Sequence, residues 1–174
     1  MRHTLSILVE NRFGELARIV GLFSARGYNI ESLTVAETLD QKISRVTLVT
    51  SGDDQTVAQI TKQLDKQIRV LSVTNLTALD HIEREMALIH VNAVGGNGRQ
   101  QVMHLVDIFR ARVVDVSENA LTIETTGDRS KVNALLGLLA PFGVQEMVRA
   151  GTVAIPRLPG ATTNHSLVQE FAVT

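Results

Sequence analysis

The chain lacks cysteine and tryptophan altogether, and its 174 residues include one tyrosine and five phenylalanines. The absence of cysteine excludes disulfides, thiolate nucleophiles and zinc sites that are built on thiolates. Aromatic residues make up only 3% of the chain, so stacking platforms for nucleic-acid bases are scarce. The hydrophobic fraction is 44%, which predicts a folded protein with an aliphatic core.

The chain also lacks an excess of charge of either sign. It has 17 Lys and Arg residues against 18 Asp and Glu residues, a formal net charge of -1, which argues against a nucleic-acid surface. It has no apolar run long enough to span a membrane, and its first residues, MRHTLSILVENR, do not have the layout of a signal peptide. We therefore expect a soluble cytoplasmic protein, or an organelle protein without its transit peptide.

One stretch, from Glu10 to Val35, organises the rest of the sequence. It follows an alternating strand-like segment and opens with a turn that contains Gly14. The apolar spacing after this turn predicts a helix over residues 14–26, which ends at Gly27. A second strand is predicted to begin immediately afterwards, at residues 28–30.

The turn before this helix has the residues expected of a small anion or zwitterion site. A helix N-terminus carries unpaired N–H groups and partial positive charge, and Gly14 allows the backbone to approach a ligand. The amides of Asn11 and Asn29 both donate and accept, so they suit the ammonium and carboxylate of an amino acid. The same residues also fit an ordinary turn in which Asn11 caps the helix.

The predicted elements follow the order β-α-β-β-α-β over roughly the first 76 residues, and this order then repeats. Residues 77–84 are predicted to be a polar connector, and residues 144–155 the last strand. This pattern predicts an α+β protein with two tandem ferredoxin-like domains, each an antiparallel sheet covered by two helices on one face. Bare sheet edges and faces favour at least a dimer through the first domain. Residues 156–174 are predicted to be an extended tail, in which Leu167, Val168 and Phe171 are candidates for docking.

A search for catalytic groups finds no convincing constellation. The histidines form no H-x-x-x-H pair, and those at positions 90 and 104 are interpreted as surface or packed residues. The run Gly95-Gly96-Asn97-Gly98-Arg99 is interpreted as a glycine-rich turn, with a weak anion site assisted by Arg99 as the alternative. RNA binding through the sheet is rejected, because the predicted strands carry aliphatic residues and threonine where aromatic residues are needed.

The sequence blocks resemble the small regulatory subunits of acetohydroxyacid synthase, also called acetolactate synthase. The blocks that carry the resemblance are LSILVENRFGELARIVGLFSARGYNIESLTV, ISRVTLVTSGDD, KQLDKQIRVLSV, EREMALIHV and RVVDVSENALTIETTGDRSKVNALLGLL. They cover nearly all of residues 1–155, and the first block is the most specific. The resemblance implies an ACT domain over residues 1–77, a linker at 78–84, a ferredoxin-like domain over 85–156 and a tail at 157–174.

The resemblance also implies a function. Members of this family bind a large catalytic subunit, raise its activity and confer feedback inhibition by valine in branched-chain amino acid biosynthesis. They are not catalysts themselves, and the cofactors thiamine diphosphate, Mg and FAD are expected on the catalytic subunit. The family's effector lies between two ACT domains of a homodimer, and the matching positions here are Asn11, Gly14, Glu15, Leu16, Ala17, Asn29 and Ile30. Ala17 stands where relatives often have serine.

Two other functions remain open from the sequence alone. A free-standing two-domain amino-acid sensor would bind the same effector without an enzyme partner. An independent enzyme would need catalytic residues, and the sequence offers none. The branched-chain amino acid that is bound also remains open among valine, leucine and isoleucine, because one methylene discriminates by only about 1–3 kcal/mol.

Overall fold

A computed structural model describes residues 1–159 as two α+β units, each with a sheet and two helices. The elements of the first unit are β1 (Arg2–Glu10), α1 (Glu15–Ala25), β2 (Ile30–Glu37), β3 (Ile43–Ser51), α2 (Asp54–Leu64) and β4 (Val70–Asn75). Those of the second are β5 (His81–Asn92), α3 (Gly95–Ile108), β6 (Arg112–Val116), β7 (Ala120–Gly127), α4 (Arg129–Leu139), β8 (Val144–Arg149) and β9 (Val153–Pro156).

The two sheets have the same strand order. The first is ordered β2-β3-β1-β4 and the second β6-β7-β5-β8, and all of these neighbours are antiparallel. The first strand of each unit is therefore central, and the strand after the first helix lies at an edge. The prediction of two tandem βαββαβ units is confirmed.

Each core forms because alternating strand residues meet the apolar faces of two helices. In the first unit, Leu5, Ile7 and Val9 project from β1 toward the helices, where Phe23 is fully buried and meets the Tyr28 ring edge-on at 6.1 Å. The second unit repeats this arrangement with smaller side chains. Its core consists mainly of Ile89, Val91, Val102, Ile123, Val132, Leu135 and Leu139.

Two helices begin with an aspartate as the N-cap residue. The Asp53 carboxylate accepts a hydrogen bond from Thr56 N at 2.7 Å at the start of α2. The Asp128 carboxylate does the same for Lys131 N at 2.8 Å at the start of α4. Each carboxylate satisfies an N–H group that lacks a partner inside its helix, as expected of an N-cap residue.

The segment predicted to be a connector is partly strand. β5 begins at His81, and its first residues pair with β9 in the register His81↔Pro156 to Arg84↔Val153. The prediction that residues 81–84 belong to a polar linker is therefore wrong. Their mixed polar sequence does not alternate like that of a core strand, and their strand structure depends on pairing with a segment 70 residues later.

The predicted last strand is divided into two strands. β8 ends at Arg149 and β9 starts at Val153, and they pair with different parts of β5. The turn between them contains Gly151, which packs directly against β2 of the first unit. A single strand over residues 144–155 is therefore wrong, because the chain turns after β8 and β9 then pairs with the first residues of β5.

The glycine-rich run after β5 also differs from its prediction as a turn before the helix. Gly95, Gly96, Asn97 and Gly98 form the first turn of α3 itself. Arg99 Nη2 donates hydrogen bonds to the carbonyl oxygens of Ser117 and Glu118, so this guanidinium is engaged by the β6–β7 turn. This arrangement does not support the alternative of an anion site assisted by Arg99.

None of the helices in residues 1–159 is long and apolar enough to cross a membrane. The proposed docking residues Leu167, Val168 and Phe171 lie outside the described residues.

Candidate functional site

The loop between β1 and α1 is held open by a left-handed glycine. Gly14 is the N-cap residue of α1 and has φ 86° and ψ -10°. A Cβ at this position would meet no atom within 4 Å, so the requirement for glycine comes from the backbone conformation rather than from lack of space. Residues with a Cβ rarely adopt a positive φ, and the loop shape therefore depends on this glycine.

The start of α1 presents free backbone donors. Unlike α2 and α4, it has no hydrogen bond from a capping side chain within the described part of the chain. The N–H groups of Leu16 and Ala17 belong to the first turn, where an α-helix provides no internal acceptor. An anionic group can therefore bind there with help from the positive end of the helix dipole.

Glu15 has a different position from the other predicted site residues. Its side chain is 5% exposed, and its carboxylate Oε1 is 3.0 Å from Arg69 Nη1 and 3.3 Å from Arg18 Nη1. These ion pairs direct the carboxylate inward, toward the segment before β4. The Glu15 carboxylate is thus shared by two arginines, and no side chain in residues 1–159 caps the positive helix terminus.

Asn11 ties the loop to the turn between β2 and β3. Its Nδ2 donates to Glu37 Oε1 at 3.0 Å and to Gln41 O at 2.9 Å, and its backbone N–H donates to Lys42 O at 2.7 Å. The alternative that Asn11 caps the helix is therefore wrong, since Gly14 holds that position. Asn11 instead fixes the distance between the loop and the end of β2.

Asn29 and Ile30 lie at the opposite end of the same sheet. Ile30 pairs with Thr50, which pairs with His3 near the start of β1, whereas Asn11 follows the end of β1. The separation along β1 corresponds to about seven residues, or about 23 Å. The expectation that both asparagines surround one turn is wrong within one chain, because β2 runs parallel to β1 and starts where β1 starts.

The side chains of these two residues have different environments. Ile30 packs partly against the core of the first unit, and Asn29 is exposed. The Asn29 carbonyl accepts a hydrogen bond from Thr50 Oγ1 at 2.6 Å, which fixes the backbone and leaves the amide side chain facing outward. Both residues are therefore presented at the beginning of an edge strand.

Exposed apolar side chains surround the loop and the edge strand. Phe13 and Leu39 are fully exposed, and Leu16 and Val35 are about 40% exposed. They come from the β1–α1 loop, the β2–β3 turn, the first turn of α1 and β2. A cluster of exposed apolar residues beside an unpaired strand edge is typical of an association surface.

Glu31 and Glu37 are two residues near the site that the sequence did not single out. Glu37 is the partner of Asn11, and Glu31 binds Arg129 in the second unit at 2.9 Å. The hydrogen bond from Arg129 holds the pKa of the Glu31 carboxyl below its ordinary value of 4.5, so this residue is ionised at neutral pH. Only the tertiary structure reveals these contacts, because each glutamate is far from its partner in the sequence.

Histidines and carboxylates do not cluster as metal ligands in residues 1–159. His90 lies on β5 with its Nδ1 3.6 Å from a Glu146 oxygen at the surface, and His104 lies in α3. The β1–α1 loop offers the free backbone N–H groups of Leu16 and Ala17, and the Asn11 amide beside it is engaged by Glu37 and Gln41.

Comparison with known proteins assigns the chain to a family. A family model described as an AHAS small subunit-like ACT domain matches residues 5–72, and one described as the small subunit of acetolactate synthase matches residues 84–158. The chain is 51% identical over 157 residues to an acetolactate synthase small subunit of Mycobacterium leprae, covering 90% of this chain and 92% of that protein.

Two further relatives agree with this assignment. An acetolactate synthase small subunit of Aquifex aeolicus is 47% identical over 156 residues, which cover 90% of this chain and 81% of the relative. The crystal structure of the small subunit from Thermotoga maritima is 41% identical and superposes with a TM-score of 0.81, covering 91% of this chain and 98% of that one. The chain therefore belongs to the acetolactate synthase small-subunit family.

Proposed function

We propose that this chain is the regulatory subunit of an acetolactate synthase. It binds a separate thiamine-diphosphate-dependent catalytic subunit, raises its activity and makes it sensitive to feedback inhibition by valine. The chain has no catalytic role in this proposal, and thiamine diphosphate, Mg and FAD belong to the catalytic subunit. Membership of the small-subunit family supports the partner, and the geometry of the β1–α1 loop supports the effector.

The observation that carries the effector proposal is the position of β2 at the edge of its sheet. If two copies pair antiparallel along β2, the start of one strand lies opposite the end of the other. Ile30 of one copy then lies near Glu37 of the second copy, and Glu37 is bonded to Asn11. A homodimer thus joins two half-sites that one chain holds about 23 Å apart.

Each group at this junction has a role that matches an amino acid. The N–H groups of Leu16 and Ala17 donate hydrogen bonds to the carboxylate at the helix terminus. The amide oxygen of Asn29 from the second copy accepts a hydrogen bond from the ammonium group. The side chains of Leu16, Ile30 and Val35 surround the aliphatic side chain of valine, and its burial also covers part of the exposed apolar surface.

Regulation follows if the bound effector favours one arrangement of the dimer that activates the catalytic subunit poorly. A coupling free energy of about 1–3 kcal/mol gives roughly 5- to 150-fold regulation. The coupling must be reciprocal, so the catalytic subunit changes valine affinity by the same factor. Valine binding to the purified chain, measured by calorimetry with and without the catalytic subunit, tests both directions.

A mixed dimer tests whether the site is shared between chains. Gly14→Asp damages the loop half of the site, and Asn29→Ala damages the other half. In a dimer that contains one chain of each variant, one site carries both damaged halves and the second site is intact. We expect each variant alone to bind valine poorly and the reassorted mixture to regain binding.

The outcome of the mixed-dimer experiment is decisive in both directions. Recovery of saturable valine binding on mixing supports a site formed by two chains. Failure of every mixture to bind, with mixed dimers verified by differently tagged chains, overturns the shared site. Valine binding without any activation of the catalytic subunit would instead favour the free-standing amino-acid sensor.

A further inference from the structure

The edge strand β2 begins with a bulge that directs Glu31 away from its sheet. Ile30 pairs with Thr50 and Ser32 pairs with Val49, so the register leaves Glu31 without a partner on β3. A bulge inserts one residue and redirects its side chain. Here the Glu31 carboxylate reaches Arg129 Nη1 at 2.9 Å, in the first turn of α4 of the second unit.

The same strand is held by a second contact from the second unit. Thr152 N donates to Ser32 Oγ at 2.9 Å. A Cβ on Gly151 would approach Thr34 Oγ1 to 2.2 Å and the Leu33 carbonyl oxygen to 2.9 Å, so the turn between β8 and β9 lies directly against the β2 backbone. β2 is thus fixed to both α4 and the β8–β9 turn, next to the residues that start the effector site.

A cleft of about 570 Å³ lies beside these contacts. Its charged lining residues are Arg2, Glu31, Glu85, Arg129 and Arg149. Each of its three arginines has a carboxylate partner. Arg2 pairs with Glu83, which does not itself line the cleft, at 3.0 Å, Arg129 pairs with Glu31 at 2.9 Å, and Arg149 Nε lies 3.6 Å from Glu85. The pairs of Arg2 and Arg129 join residues of different units, so this network connects the two units.

We propose that the ion pair between Glu31 and Arg129 couples the effector site to the C-terminal unit, with both acting as positioning residues. The inference rests on the proposed function, because it assumes that valine contacts Asn29 and Ile30. An effector that fixes these two residues also fixes Glu31, the next residue in the chain. Movement of the bulge is then transmitted to the first turn of α4, since the ion pair and the packed Gly151 turn allow little independent motion.

The decisive experiment separates valine binding from its consequence. Glu31→Gln and Arg129→Gln remove the ion pair without touching the β1–α1 loop. At saturating valine, we expect both variants to bind valine and activate the catalytic subunit, but to show about two- to fivefold weaker maximal inhibition. The charge-reversed pair Glu31→Arg with Arg129→Glu restores inhibition, because it re-forms the contact with opposite polarity.

The matched control is Arg112→Gln, which removes an arginine from a pair within the second unit. Arg112 Nε lies 3.8 Å from Glu124 and does not contact β2. We expect this variant to retain full inhibition. Full inhibition in both Glu31→Gln and Arg129→Gln, or a defect of equal size in Arg112→Gln, overturns the inference.

Hydrogen exchange without valine makes the result independent of the proposed function. Arg129→Gln should accelerate amide exchange at residues 30–34 of β2, while Arg112→Gln should not. Unchanged exchange in Arg129→Gln overturns the positioning role even if inhibition changes. If the wild-type chain binds no valine, the proposed function fails, whereas the exchange measurement still decides whether the ion pair holds the strand.

Discussion

The first helices of the two units begin in the same way but have different surroundings. Both have a glycine with positive φ at their start, Gly14 at 86° as the N-cap of α1 and Gly95 at 72° as the first residue of α3, and neither start has a side-chain cap within residues 1–159. At α3, Arg99 bonds to carbonyls of the β6–β7 turn, within its own unit. At α1, exposed apolar residues such as Phe13 and Leu16 surround the free helix terminus.

The edge strands next to these helices differ as well. β2 has eight residues, including the exposed Val35, whereas β6 has five and contains Arg112 and Asp115. A short edge strand offers few backbone groups for pairing with another strand, and a longer one offers more. Two units with one fold thus differ at the strand edge and the helix terminus on which the proposed dimer site depends, as expected when function resides in the site rather than in the fold.

The largest expected effect is on the free energy of unfolding, because each unit has its own hydrophobic core. Phe23→Ala removes the fully buried ring of the first unit and should cost about 3–5 kcal/mol of unfolding free energy. Leu135→Ala, at a fully buried position of α4, should cost about 2–5 kcal/mol. Urea unfolding followed by hydrogen exchange in each sheet measures both.

The distribution of these losses tests how far the units are independent. β5 lies in the second unit throughout, where its first residues pair with β9 and its later residues are central in the sheet. We expect Phe23→Ala to accelerate exchange mainly in β1 and β3, and Leu135→Ala mainly in β7. Equal acceleration in both sheets for either variant would contradict the separation of the two cores.

The next largest expected effect is on valine affinity, and it compares Gly14 with Gly95. Gly14→Asp should weaken valine binding at least about tenfold, because the left-handed backbone costs an L-residue roughly 1–2 kcal/mol and the new carboxylate repels that of valine. Gly95→Asp has the same backbone problem but lies outside the proposed site, so it should leave valine affinity unchanged. Calorimetry on folded dimers measures both, and equal losses would contradict the assignment to α1.

The sequence predicted those parts of the fold that local patterns determine. The alternation of Leu5, Ile7 and Val9 and the helical spacing around Phe23 are properties of short segments, and the structure has both. The aspartate caps Asp53 and Asp128 are equally local. The order of such segments was sufficient to predict two βαββαβ units.

Predictions that depended on distant contacts were wrong. Residues 81–84 form a strand only because β9 returns to pair with them, and β8 ends because the Gly151 turn packs against β2. The pairing of Asn11 with Asn29 was inferred from proximity in sequence, but strand direction places them at opposite ends of the sheet. The left-handed Gly14 before α1 was visible in the sequence as a glycine-containing turn, whereas the direction of β2 was not.

The third expected effect is on the dimer dissociation constant, and it compares the edge strands β2 and β6. Val35→Lys introduces a charge on β2 at the proposed dimer interface, once from each copy. We expect the dimer dissociation constant to rise about tenfold, equivalent to ~1.4 kcal/mol, as charges oppose strand pairing. Val114→Lys on β6 should change it little. Sedimentation equilibrium measures both constants, and a larger effect from Val114→Lys would place the interface on the second unit.

The smallest expected effect is on the free energy of unfolding, and it compares α4, which has an aspartate cap, with α1, which begins after Gly14. Asp128 caps α4 with φ -72° and ψ 168°, whereas Gly14 at the start of α1 has φ 86°. Asp128→Ala should therefore cost about 1 kcal/mol of unfolding free energy, which thermal denaturation detects as a lower Tm. An aspartate at position 14 cannot act as the same cap, because its backbone would first have to leave the left-handed region.

The pH dependence of this effect follows from the charge of the cap. Hydrogen bonds from Lys131 N–H and Ser130 hold the pKa of the Asp128 carboxyl below its ordinary value of 3.8. Its ionised form therefore stabilises the fold above pH 3.8, and this contribution is lost as the pH falls through the lowered pKa. Asp128→Asn keeps a capping oxygen without the charge, so the difference in unfolding free energy between wild type and this variant should shrink as the pH falls through that range. A constant difference across the acid range would mean that the amide and the carboxylate cap α4 equally well, and that the helix dipole contributes little to the contrast between α4 and α1.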